Sequence, residues 1–316
     1  MAYAKTEFEL KLIGAAADCA ALREMTLIES AACGPDMRER LISVYFDTPD
    51  LTLAAAGISL RHRHDPDGPV LTAKLTPVGG SSVQRLEAER KLNGADEFIT
   101  GVAAIDALVA PVADKLIRIA ETRTDRWSRL VQSGAAIIEV SAETGQSVRY
   151  DADGTKHLAP VAEVELELLK GDPSTVFEFA RRINKAAAGR LRPNIEPKLT
   201  RALRAGAIQP IGKPPKPALP ADPTAGDVLA GGLLVCAVRL IECAPHFIDL
   251  RDPESARHLR VVLRRVRALE RTFRPATKKS GLRQLGFEAR DFGRRIGEAR
   301  DLDVFLSDIL PKAHKL

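Results

Sequence analysis

The chain has 316 residues, 45% of them apolar and only 4% aromatic, with 47 Lys and Arg against 42 Asp and Glu. That length admits two domains and a sizeable core, and no uninterrupted apolar run of about 18 residues marks a membrane span. The net charge of +5 is uneven: residues 227–316 hold 18 Lys and Arg against 12 Asp and Glu, while the remainder holds 29 against 30. The start turns charged at once, unlike a secretory signal. Cys19, Cys33, Cys236 and Cys243 lack C-x-x-C spacing. That argues against structural zinc and fits a reducing, cytoplasmic setting.

Residues 7–11 alternate charge and aliphatic, the period of a strand, with Glu7, Glu9 and Lys11 on one face and Phe8 and Leu10 on the other. Residues 15–29 read as a helix, and Gly34-Pro35 breaks the chain. A strand over 41–46 runs into the turn-forming cluster Asp47-Thr48-Pro49-Asp50. Strands follow at 58–63, with Arg61 and Arg63 on one face, at 70–76, with Thr72 and Lys74, and at 85–91, with Arg85, Glu87, Glu89 and Lys91. Residues 96–109 read as a helix. Residues 116–131 read as a pair of strands around Asp125-Arg126, with Arg118 and Arg126 in phase. Residues 135–144 set Glu139 and Glu143 opposite Ile138 and Val140, and Glu163, Glu165 and Glu167 alternate with Val164, Leu166 and Leu168. An amphipathic helix over 176–188 precedes a closing segment, 191–203, with Lys198 and Arg201.

One strand with a charged face is a solvated edge. So many strands with charged faces of mixed sign point to a closed or nearly closed antiparallel barrel, polar inside and packed by helices outside. Crowded carboxylates inside such a barrel need a cation between them. Clustered Arg and Lys need a polyanion. A metal-bound phosphate chain satisfies both.

Taken in order, these pieces resemble the CYTH superfamily, the triphosphate tunnel metalloenzymes. They are the Glu7/Glu9/Lys11 strand, Val44-Tyr45-Phe46-Asp47-Thr48-Pro49-Asp50, Leu60-Arg61-His62-Arg63, Lys74, Arg85/Glu87/Glu89, Thr122 with Arg126, and Glu163/Glu165/Glu167. Lys198 falls where the family has a lysine near the domain end. The resemblance covers residues 1–205 and implies an α+β domain built on an eight-stranded antiparallel β tunnel with packing helices. Two positions depart from the family pattern: Glu143 stands where aspartate is usual, and Pro197 precedes Lys198 where serine is usual.

Residues 206–226 carry six prolines and read as an extended spacer. Beyond it the pattern is all-α, with helices over 227–246, 253–273 and 279–310. In the second of these Arg257, Arg260, Arg264, Arg267 and Arg271 form one basic stripe. It is either a solvated face with acidic partners such as Asp301, Asp303 or Glu288, or a surface for a polyanion. Arg260 to Arg267 and Ala299 to Phe305 resemble the marked motifs of the CHAD domain, a helical module linked to polyphosphate. Here the family's histidine position is Arg257, and His258 lies one residue on. A complete CHAD domain has about twice this helical content, so 227–316 reads as a partial one.

The resemblance implies roles. Lys11, Arg61, Arg63, Lys74, Arg85, Arg126 and Lys198 would bind phosphate oxygens. Glu7, Glu9, Glu165 and Glu167 would hold Mg²⁺ or Mn²⁺, with Glu87, Glu89 and Glu163 available for a second ion. Lys11 would be the catalytic base, its pKa lowered by positive neighbours. The basic helical module favours inorganic triphosphate as substrate and polyphosphate as a partner of the arginine stripe. The alternatives are a class IV adenylyl cyclase or other organic triphosphatase, and a non-catalytic polyphosphate-binding protein. Neither a membrane nor a specific nucleic acid is expected as partner, since no aromatics interleave the arginines for base stacking.

Overall fold

A strand that alternates charge and aliphatic can satisfy both only where one sheet face is polar and the other apolar. In the computed structural model this holds around a complete circuit. The structure describes residues 3–65, 68–76, 83–92, 97–151, 153–205, 207–208, 210–214, 216–277, 281–306 and 310–313. The chain divides into two units, 1–207 and 208–316.

In the first unit the long strands are β1 (Tyr3–Ile13), β2 (Met37–Asp47), β3 (Ile58–Asp65), β4 (Gly68–Leu75) and β5 (Gln84–Lys91), followed by β6 (Ile117–Ser133), β7 (Ala136–Tyr150) and β8 (Lys156–Lys170). They lie in the order β5-β4-β3-β2-β6-β7-β8-β1, all antiparallel, and a β1–β5 pairing closes the barrel. β1 is the closing stave. Lys5 and Glu7 sit opposite Glu87 and Arg85 of β5, and Glu9 and Lys11 sit opposite Glu167 and Glu165 of β8. A short β9 (Arg192–Asn194) adds to the end of β1.

The hydrophobic core lies outside the barrel wall. The helices are α1 (Ala16–Ala20), α2 (Thr26–Ala31), α3 (Thr52–Ala55), α4 (Ala103–Val109), α5 (Pro173–Ala186) and α6 (Lys198–Leu203). Asp172 caps α5 by accepting from Ser174 N at 2.7 Å, with Pro173 in its first turn. That helix sets Phe179 and Ile183 onto Leu10, Leu12, Val164 and Leu166. A second cluster packs Leu53, Ile105 and Val109 of α3 and α4 over Leu60, Leu71, Ala73 and Ala88. Each large aliphatic so buried contributes about 1.5–3 kcal/mol. The barrel interior is thereby freed from packing duty.

Four local expectations differ from the structure. The helix over 15–29 is broken, with a 3₁₀ turn at Ala21–Glu24 and an extended Met25. Leu22 and Ile28, six residues apart, would point ~120° apart on one straight helix, and the break lets both enter the same core. The helix over 96–109 begins only at Ala103, because Asp106 accepts from Thr100 N and Gly101 N and holds that loop ahead of it. Asp96 lies outside the described residues. The strand pair over 116–131 is one strand, β6, held continuously by β2 on one edge and β7 on the other. Arg118 leaves the phase of Arg126 where the β2–β6 register shifts at Tyr45/Phe46, and it pairs with Glu121 instead. Opposite Thr124, Gly145 comes so close that a Cβ would lie 2.1 Å from Arg123 O.

The second unit holds α7 (Ala225–Ile248), α8 (Pro253–Phe273), α9 (Leu282–Val304) and the short α10 (Leu310–Ala313). Thr224 and Asp227 form a capping box on α7, and Asp252 caps α8. Cys236 and Cys243 are buried with Leu259, Val262, Leu263 and Val266 of α8 and Ile296 of α9. By length and composition α7 is apolar enough to cross a membrane, with a mean hydropathy of 1.8 in its best window. A search for an uninterrupted apolar run passes over it because Arg239 and Glu242 interrupt it. Arg239 is buried, donating to Gly212 O at 2.6 Å and to Glu242 at 2.9 Å.

Candidate functional site

The inward faces of the eight strands enclose a cavity of about 380 Å³. Of the residues expected from the sequence, Glu7, Glu9, Lys11, Arg61, Arg63, Lys74, Arg85, Glu87, Glu89, Arg126, Glu165, Glu167 and Lys198 line it. Glu163 does not. It lies on the inward face beyond the end of the cavity, opposite Glu143, fully buried, with one oxygen on Arg201 and the other 3.0 Å from Lys198.

Among the described residues, each acid of the wall except Glu39 meets a base. Glu7 takes Lys74 at 2.7 Å and Arg85 at 3.2 Å. Glu9 takes Arg85 at 2.9 Å and also Lys11. Lys74 reaches Glu87 at 3.1 Å as well. Lys11 bonds Glu165, and Lys198 spans Glu143 at 2.6 Å and Glu165 at 3.3 Å. Arg126 joins Glu139 at 2.7 Å to Glu143 at 3.5 Å. Arg63 lies 3.4 Å from Glu89. The buried Nε atoms of Arg61 and Arg85 have no hydrogen-bond partner among the described residues. A bound anion would satisfy such donors.

The electrostatics follow from this crowding. Burial and then the charge of Glu9 push Glu7 up to about 7, in spite of Lys74. Burial and Glu165 act the same way on Glu9, but Lys11, Lys74 and Arg85 prevail and leave it well below the carboxylate range. Burial opposes the charge on Lys11, yet Glu165, Glu9 and Glu163 outweigh it and hold the ammonium above the ordinary lysine range. That direction is opposite to the lowered pKa expected of a catalytic base, because the neighbours are mainly carboxylates rather than cations. Lys198 is raised in the same way, by Glu143, Glu163 and Glu165 against its burial.

Sequence reasoning passed over several wall residues. Lys5, in phase with Glu7, bonds Glu167 and lies 3.4 Å from Glu87; its phase was the available signal. Glu39 lines the cavity from β2, in phase with Leu41 and Ser43. Tyr45 also faces inward and is buried, although it sits in an apolar run. Glu143 lines the wall despite its extra methylene, accepting from Thr124 Oγ1 at 3.1 Å.

Among the described residues no group of three or more His, Cys, Asp or Glu converges on a point that could hold a metal ion. The donor set nonetheless suits a hard divalent cation, since it offers carboxylate oxygens and neither cysteine nor histidine. The wall carries nine carboxylates against eight Lys and Arg. A polyanion entering it meets no positive surplus, and a divalent cation would provide one. Glu7 and Glu9, adjacent on one strand face, are best placed to hold it, with Lys74 and Arg85 now resting on their oxygens.

In the helical unit Arg257, Arg260, Arg264 and Arg271 are exposed and Arg267 is half-buried. Arg257 pairs with Glu254 at 2.6 Å and Arg260 lies 3.8 Å from Asp301. Among the described residues Arg264 and Arg267 join no ion pair.

The CYTH domain model matches residues 5–197, and the CHAD domain model matches residues 234–316. No curated protein matches. Solved structures that resemble this chain include a Bacillus halodurans protein provisionally assigned as an adenylate cyclase, 18% identical, covering 63% of this chain and 97% of its own, with a TM-score of 0.43. A Hippeastrum protein described by a dominant triphosphatase activity is 18% identical, covering 65% and 98%, with a TM-score of 0.41. The Mimivirus capping enzyme triphosphatase is 12% identical, covering 58% and 90%, with a TM-score of 0.35.

Proposed function

Since this chain belongs to the CYTH family and carries a CHAD domain after it, we propose that it hydrolyses inorganic triphosphate to pyrophosphate and phosphate with Mg²⁺ or Mn²⁺. CYTH-domain proteins are triphosphate tunnel enzymes, generally metal-dependent. The observation that carries the reading is the tunnel wall itself, where nine carboxylates and eight cations face one cavity. A pure anion-binding site would be hindered by so many acids. A cyclase would need a surface for adenine, and Tyr45 is the one aromatic among the described residues of the wall.

Hydrolysis adds one water across a P–O–P bond. Charge grows on the bridging oxygen that leaves with pyrophosphate, so catalysis is mostly positioning and electrostatic stabilisation. Arg61, Arg63, Arg85 and Arg126 orient the phosphate chain by their guanidinium forks, and Lys74 and Lys198 supply point charges. A divalent ion held by Glu7 and Glu9, with Glu165 and Glu167 or with Glu87 and Glu89 nearby, supplies charge neutralisation when bound. Lys11 acts first as a phosphate-binding cation. A base role for it would require the Glu165 and Glu9 carboxylates, which now hold its ammonium charged, to be taken up by a cation instead. The arginine stripe of α8 binds polyphosphate.

The test is a product assay on the full chain with Mg²⁺ or Mn²⁺ and, in turn, tripolyphosphate, ATP, thiamine triphosphate and long-chain polyphosphate. Orthophosphate with pyrophosphate, fastest from tripolyphosphate, is the expected result. Cyclic AMP from ATP would replace the reading with a cyclase. Polyphosphate binding without any product would replace it with a binding protein.

A further inference from the structure

We propose that Glu163 and Arg201 are a positioning pair that fixes Lys198 at the tunnel wall, and that Glu163 is not a metal ligand. The proposal rests on the triphosphate reading and deepens it. On β8, Glu163, Glu165 and Glu167 share one phase, yet only Glu165 and Glu167 of the three line the cavity. Glu163 is wholly buried on the same inward face, opposite Glu143 and beyond the end of the cavity. Its Oε2 accepts from the Arg201 guanidinium, and its Oε1 faces Lys198 Nζ at 3.0 Å and Lys11 Nζ at 3.9 Å.

Lys198 and Arg201 leave α6 three residues apart, on one side of the helix. Glu163 therefore binds α6 to β8 through both of them. Lys198 also touches Glu143 and Glu165, but these two line the cavity and are open to metal or substrate. Glu163 is the counter-charge that a ligand in the cavity does not reach. It keeps Lys198 in place while its other partners exchange. Arg201 neutralises the second oxygen, which would otherwise be a buried and unpaired charge. That arrangement leaves the Lys198 ammonium free to turn its remaining protons to phosphate oxygens.

The experiment measures tripolyphosphate binding by calorimetry with a chelator present, Mn²⁺ binding separately, and steady-state kinetics, on wild type, Glu163→Gln, Arg201→Met, Arg201→Lys and Lys198→Met. Glu163→Gln and Arg201→Met should each weaken metal-free tripolyphosphate binding by about fivefold or more, raise KM more than they lower kcat, and leave Mn²⁺ affinity unchanged. Arg201→Lys should restore most of the binding. In a Lys198→Met background neither substitution should weaken binding further, although any loss of Tm persists. Arg201→Met carries the test if Glu163→Gln does not fold. Weaker Mn²⁺ binding in Glu163→Gln would make Glu163 a ligand and overturn the proposal. So would an undiminished effect in the Lys198→Met background, which marks a merely structural pair. Tripolyphosphate binding that is normal in wild type and in both variants would overturn the pairing alone. No binding in wild type would overturn the triphosphate reading and the pairing with it.

Discussion

In the barrel, Glu7 and Glu9 are 3% and 5% exposed, and each lies within 4.0 Å of two or more Lys or Arg side chains. In the helical unit, Arg264 and Arg271 are exposed, and among the described residues no carboxylate pairs with Arg264 at that distance. Both regions are rich in charge, but the sequence period decides where it goes. A period of two on a closed sheet sends every second residue inward. A period near 3.6 on α8 puts the arginines on the face away from Leu259, Val262, Leu263 and Val266. The inward charges act at short range in a water-poor space and are little screened by salt. The outward ones are solvated and screened within a Debye length of about 8 Å.

The largest effect of a single substitution should come from Lys74→Met. Lys74 touches Glu7 at 2.7 Å, Glu9 at 3.7 Å and Glu87 at 3.1 Å. Its loss would take away a proposed phosphate contact and leave three acids short of a cation, so kcat/KM on tripolyphosphate should fall about 100-fold. A change within threefold would break the claim that the inward charges are the site. A middling effect, on stability rather than turnover, is expected for Asp47→Ala. Asp47 is fully buried and accepts from Thr48 N, Leu53 N and Ala54 N at 2.7–2.9 Å. Leaving those donors unpaired should cost about 1–3 kcal/mol and lower Tm by several degrees, on the order of 2–10 °C. Turnover per folded molecule should hold, because Asp47 does not line the cavity. The smallest effect on hydrolysis belongs to Arg264→Ala with Arg267→Ala. Turnover of tripolyphosphate should stay within about twofold, while long-chain polyphosphate binds several-fold more weakly at low salt, a difference that fades near 1 M salt. A loss of turnover in that variant would erase the contrast between the two regions.

The tunnel was legible because alternation survives any detail of register. Once β1, β3, β4, β5 and β8 are known to alternate, their inward residues follow. What alternation does not encode is where along a strand the cavity ends. Glu163 has the same phase as Glu165, and only α6, with Lys198 and Arg201 on its carboxylate, leaves it beyond the end of the cavity. The unbroken course of β6 was likewise hidden, since polar Thr124-Asp125-Arg126 resembles a turn until β2 and β7 are seen to hold both edges. The sign of the Lys11 shift was not legible either. It depends on Glu165 and Glu163, which are more than 150 residues away in sequence. Tyr45 was missed because an inward tyrosine between Val44 and Phe46 carries no charge to mark its phase.

The central claim is that the inward carboxylates of β1 serve a metal-dependent reaction on triphosphate. Phosphorus NMR of tripolyphosphate turnover, with and without Mg²⁺ or Mn²⁺, tests it most directly when wild type is compared with the double variant Glu7→Gln, Glu9→Gln. Wild type should convert tripolyphosphate to pyrophosphate and phosphate only with the metal, and the double variant, while still folded by its melting curve, should lose at least about 1,000-fold in rate. Equal rates in the two proteins, or a wild-type rate indifferent to chelation of the metal, would contradict it.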